Sequence, residues 1–131
     1  MNYEGLKNAI ENLADSQIVG FYLDPDLLSL RLDFSFEPGE ITSVELLNIH
    51  HILLSHDPTC DDGRSFIVLE ISLNSIEEKK RKDLLNSLGY MFIYNEGSEP
   101  PFQKGELYHL RIEGDICMEI VCSSIRILKQ I

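Results

Sequence analysis

The chain has 131 residues, 44% of them hydrophobic, and a formal net charge of -11. That length suits one domain spanning residues 1–131 that can fold without disulfides or metal, and no apolar run nears the roughly 18 residues that would cross a bilayer. The acidity is regional: residues 1–62 hold 12 acids against Lys7 and Arg31, and such a surface repels nucleic acid and anionic membranes while attracting basic proteins.

No basic, apolar leader opens the sequence, and its three cysteines, Cys60, Cys117 and Cys122, are an odd number. Both features predict reduced thiols in a cytoplasmic protein. Along residues 3–14, Leu6, Ala9, Ile10, Leu13 and Ala14 recur at helical spacing, with Asn2 placed to cap the helix. Ile18 to Leu23 is apolar at every position but Gly20, which predicts a strand covered on both faces, with the helix as one cover. Asp24-Pro25-Asp26 makes a turn. The clearest signal follows it: Leu28, Leu30, Leu32, Phe34 and Phe36 alternate with Ser29, Arg31, Asp33, Ser35 and Glu37. This is the pattern of a half-buried strand with its apolar set inward.

After the turn at Glu37-Pro38-Gly39-Glu40, residues 41–55 admit two readings. A strand puts Val44, Leu46, His50, Ile52 and Leu54 on one face with Asn48, whereas a helix makes a stripe of Leu46, Leu47, His50 and Leu53. The short turn after a long strand favours a hairpin, hence a strand. Residues 56–64 form a polar loop, and residues 66–73 a strand with Ile67, Leu69, Ile71 and Leu73 inward. Ser75 and Glu78 make a capping box for a short helix over residues 76–88, stopped by Gly89. Lys79, Lys80, Arg81 and Lys82 wrap round more than one turn of that helix among acids, which makes a solvated face rather than a nucleic-acid site. Tyr90 to Tyr94 predicts a strand, and residues 95–105 an exposed loop.

The terminal hairpin carries a register argument. Tyr108, Leu110 and Ile112 share one face, as do Ile116, Met118, Ile120 and Cys122, and a one-sided core requires the loop between them to be odd. A three-residue loop, Glu113-Gly114-Asp115, sets Ile112 opposite Ile116, Leu110 opposite Met118 and Tyr108 opposite Ile120, with His109 outside opposite Glu119. Beyond Cys122 the apolar parity moves to Ile125 and Ile127, so a bulge or break is expected at Ser123-Ser124, with the last strand starting at Ile125.

Chemistry-bearing patterns are sparse. His56, Cys60, Asp61 and Asp62 share a loop and are all zinc-ligand types, but their spacing fits no paired motif. As a calcium loop from Asp57, the run has Asp62 where the glycine belongs and Val68 where the bidentate glutamate belongs. His50 and His51 point to opposite faces of a strand, with His50 toward the core or an edge, and His109 beside Glu119 makes a cross-strand ion pair. With no nucleophile elbow or phosphate loop, no catalytic residue, metal or cofactor is assigned. A non-enzymatic binding protein is expected, with a small metal-dependent hydrolase or a ligand-binding protein as the rival classes. The fold expected is α+β: a curved antiparallel β-sheet or two-layer β-sandwich with an N-terminal helix and one short helix near residues 76–88.

An initial helix, the strands LRLDFSF and SVELLNIHHILLS and the hairpin LYHLRIEGDICMEIVCSSIRI come in an order that resembles small bacterial immunity proteins of polymorphic and contact-dependent inhibition toxin systems. The resemblance implies a cytoplasmic protein that binds and blocks one toxin domain, often a nuclease, made by the same cell. Regional acidity agrees with this, because the active site of a nuclease is basic. The residues expected to bind the partner are Asp24 and Asp26 in one loop and Asp57, Asp61 and Asp62 in another. Neither nucleic acid nor membrane is expected as a partner, and the oligomeric state is left open.

Overall fold

A computed structural model of the chain describes residues 2–56, 66–80, 83, 84, 87 and 106–130. One helix, α1 (Tyr3–Glu11), precedes six strands among these residues: β1 (Gln17–Asp24), β2 (Ser29–Ser35), β3 (Ile41–His56), β4 (Phe66–Ser75), β5 (Tyr108–Gly114) and β6 (Ile116–Gln130). Every pairing is antiparallel, and the order β1-β2-β3-β6-β5-β4 returns to β1. The α+β antiparallel expectation holds in that form. Curvature goes as far as closing the sheet into a barrel, and the alternative of two separate layers is not the arrangement its pairing describes. No helix among the described residues is long and apolar enough to cross a membrane.

The barrel interior is filled by the alternating apolar positions. Leu30, Leu32 and Phe34 of β2 meet Val44 and Leu46 of β3, Leu110 and Ile112 of β5, and Met118 and Ile120 of β6, all buried. Closure between β1 and β4 rests on two residue pairs, Gln17 with Ile67 and Ile18 with Phe66. Beyond them α1 stands in for a strand. Lys7 Nζ donates to the Leu73 carbonyl (2.6 Å), and Glu11 Oε2 accepts the Leu73 amide (3.2 Å). The Tyr3 hydroxyl donates to the same carbonyl (3.4 Å) and accepts from the Ser75 amide (3.0 Å). Three helix side chains thereby satisfy β4 edge groups that would otherwise want a neighbouring backbone.

The helix starts where expected, with Asn2 Oδ1 accepting the Gly5 amide at 2.8 Å. It ends at Glu11 rather than residue 14, and Leu13 is buried in the turn that follows. Because α1 lies against β4, it does not cover β1, and only Ile18 of that strand is buried. The expectation of a β1 covered on both faces is therefore corrected.

Bulges account for the other differences, since one extra residue reverses which face each later side chain takes. Pairing of β4 with β5 shifts between Val68 and Glu70. Val68, Ile71 and Leu73 are buried, while Ile67 and Leu69, expected inside, are exposed, Leu69 at 66%. Residues 41–56 form the favoured strand, but it bends at Asn48 (φ 53°) and shifts register between Ile49 and His51. The single apolar face drawn through His50 and Leu54 is thereby broken: His51 is buried, and Leu53 and Leu54 are exposed. In β2 the interior set is Leu30, Leu32 and Phe34, with Leu28 and Phe36 exposed beyond the two strand ends.

The terminal hairpin keeps the expected faces but pairs two residues further along. Ile112 stands opposite Met118, Leu110 opposite Ile120 and Tyr108 opposite Cys122. Glu113 and Gly114 are drawn to β4 instead, opposite Glu70 and Val68. Asp115 completes that contact, its amide donating to the Ile67 carbonyl (3.1 Å) and its Oδ2 accepting the Ile67 amide (3.0 Å). Ile125 and Ile127 do pack on the core, yet β6 runs unbroken to Gln130, because the change of parity is matched by the bend at Asn48 in its partner strand. Of the helix expected over residues 76–88, Glu78–Lys80 form a 3-10 turn and Asp83, Leu84 and Ser87 are helical. Its remaining central residues, the strand expected at Tyr90 to Tyr94 and the loops over 57–65 and 95–105 lie outside the described residues.

Candidate partner-binding surface

The turn between β1 and β2, Asp24-Pro25-Asp26-Leu27-Leu28, brings together two acids and two leucines. Asp24 Oδ1 accepts the amides of Asp26 (3.0 Å) and Leu27 (3.3 Å), so one carboxylate oxygen braces the turn while Pro25 sets its first dihedral. Leu28 adopts a left-handed conformation (φ 49°), and its carbonyl accepts the Ile49 amide at 2.8 Å. That conformation costs a leucine about 1–2 kcal/mol. It also rotates Leu28 off the inward alternation of β2, leaving it 54% exposed, with Leu27 at 71% and Leu23 at 51%. Among the described residues, neither Asp24 nor Asp26 forms an ion pair.

Beside the turn, the outer face of the sheet carries a row of polar side chains across four strands: Tyr22, Arg31, Glu45 and Arg126. The Arg31 guanidinium lies over the Tyr22 ring, 4.4 Å from its centroid, and Arg126 bonds Glu45 at 2.6 Å. One step along, Asp33 receives the Ser43 hydroxyl (2.7 Å) and Arg31 Nε (3.3 Å), and is almost fully covered. These acids are therefore answered within the chain, which leaves Asp24 and Asp26 as the acidity this end offers outward. A groove of about 330 Å³ runs between the turn and the row, lined by Tyr22, Asp24, Ser29, Arg31, Glu45 and Leu47.

Asp57, Asp61 and Asp62, expected to bind the partner with Asp24 and Asp26, lie outside the described residues. Their segment leaves β3 after His56, while the β1–β2 turn is tied to β3 at Ile49. Seven residues of extended strand separate the two points by at most about 23 Å. The exposure of Leu28 is not legible in the sequence, because alternation alone assigns it to the core.

A second polar cluster sits on the outer face of β3, β6 and β5, where His51 and His109 flank Val121. His109 Nε2 lies 2.7 Å from Glu119 Oε1, a hydrogen-bonded contact between the two residues expected to pair, reached diagonally because Glu119 stands opposite Arg111. Burial lowers the pKa of His51, Glu119 opposes that and His109 lowers it further; burial lowers that of His50 as well. His51 is the better shielded of the two from solvent, the reverse of the expectation: it is buried although it lies on the outer face, opposite Val121, which is fully covered as well. Among the described residues no group of three or more His, Cys, Asp or Glu is arranged to hold a metal ion. Burial pushes the Cys122 thiol up to about 12, which leaves it an inert core side chain. No protein-family model and no curated protein sequence matches this chain.

Proposed function

We propose that this protein is an immunity protein: it binds a basic toxin domain, such as a nuclease, in the cytoplasm of the cell that makes both, and blocks it without chemistry of its own. The observation that carries this reading is the exposed β1–β2 turn, where Leu27 and Leu28 stand beside Asp24 and Asp26. Apolar side chains framed by charges are the composition of a protein-binding patch, and a net charge of -11 favours encounter with a basic surface. Asp57, Asp61 and Asp62 contribute to that net charge and belong to the same reading.

The test is to express the product of the neighbouring open reading frame with and without this protein. Growth arrest relieved by co-expression, together with copurification of the two chains, is the expected result. If no neighbouring product is toxic and none copurifies, the reading is abandoned.

A further inference from the structure

Resting on that reading, we infer that the β1–β2 turn is a preformed plug, whose Leu27 and Leu28 seat in an apolar recess of the basic partner while Asp26 pairs with a lysine or arginine at its rim. Turns usually carry glycine, asparagine or serine, whereas this one displays two adjacent leucines, one held in a left-handed conformation. The turn is also braced before binding. Asp24 fixes two amides and the Ile49 amide holds the Leu28 carbonyl, so little conformational freedom remains to be lost on docking.

Charge complementarity selects the occupant. Arg31, which lines the groove beside the turn, is engaged by Asp33 and the Tyr22 ring. A second copy of this chain would set Asp24 and Asp26 against their own kind, whereas a basic partner meets them with opposite charge. Exposed Tyr22 and Arg31 beside the turn are residue types that carry binding energy at protein interfaces.

The probes are two fluorescent synthetic peptides, one alternating leucine with lysine and the other leucine with glutamate, titrated by anisotropy against the full chain. Leu27→Ser combined with Leu28→Asn removes the plug while keeping a residue that tolerates the left-handed position, and its unfolding midpoint is measured alongside. The lysine peptide is expected to bind the wild type, to bind the leucine variant at least about tenfold more weakly, and to show a shallower salt dependence with Asp26→Asn, whereas the glutamate peptide does not bind. Equal binding of the lysine peptide by the leucine variant, or of both peptides by the wild type, overturns the plug. So does sedimentation of the wild type as a dimer that the leucine variant breaks, since a second copy would then be the occupant. If a toxin is found and the leucine variant still neutralises it, the plug falls and the immunity reading stands; if no toxin is found, the peptide titrations still decide the plug.

Discussion

Gly114 is the position where one added methyl group should undo the closure of the barrel. A Cβ built there would stand 2.2 Å from the Ile67 carbonyl oxygen and 3.0 Å from the Leu69 amide nitrogen. Both are backbone atoms, so Gly114→Ala must move the start of β4 by about 1 Å to restore normal contact. Ile67 is bonded on both sides to Asp115 and pairs with Gln17 in the short β1–β4 seam. Overpacking costs about 1–3 kcal/mol, and two weakened hydrogen bonds about 0.5–1.5 kcal/mol each, offset by about 0.4–1 kcal/mol from a stiffer unfolded chain. The net expectation is a loss of about 1–5 kcal/mol, read as a lower urea midpoint with unchanged slope, and a Tm lower by about 4–20 °C for a domain of this size. Gly20→Ala is the comparison, because its Cβ meets side-chain atoms and no backbone, Asp33 Oδ2 and Tyr22 Cε2 at 2.8 Å and Asp33 Cβ at 3.2 Å; it strains the Asp33 bonds to Ser43 and Arg31 but leaves the β1–β4 seam in place. Hydrogen exchange should show the Ile67 amide losing protection in Gly114→Ala while those of Leu30 and Leu32 keep theirs. A variant within about 0.5 kcal/mol of wild type, with Ile67 still protected, would refute the reasoning.

Glu11→Ala should cost about 1–2 kcal/mol, because it strips the Leu73 amide of its acceptor and Lys7 of its ion pair; urea denaturation checks this, and a loss no larger than that of Glu4→Ala would argue against the clamp. The Lys7 hydrogen bond holds the Glu11 pKa below the ordinary carboxylate range, so the stability it adds is present above that range and lost as pH falls through the native value. Burial lowers the pKa of His50 and His51, so unfolded chains take up protons near about 6.5 before native ones do. Stability should accordingly hold above that pH and decline below it, and a denaturation midpoint unchanged between about pH 7.5 and 5.5 would contradict their burial. In a Cys60→Ser background, a thiol reagent should label exposed Cys117 at once and Cys122 only after unfolding; rapid labelling of Cys122 in the native protein would place it outside the core.

Local pattern alone determined a good share of this molecule. Alternation in residues 29–35 sets Leu30, Leu32 and Phe34 inside, the helical spacing and Asn2 cap of α1 are realised at its start, and the odd loop of the terminal hairpin keeps Leu110, Ile112, Met118 and Ile120 on one side. Each depends on a period of two or of 3.6 within one element, and such periods are written in the chain itself. What only the tertiary structure decided begins wherever a strand gains a residue over its neighbour. The bulges near Leu69 and His50 shift the register of β4 and β3, and each is selected by pairing with a strand distant in sequence. The same holds for the binding surface: the acids of the β1–β2 turn are legible as acids, but Leu28 is turned outward by a hydrogen bond from Ile49, across a register that no local spacing encodes.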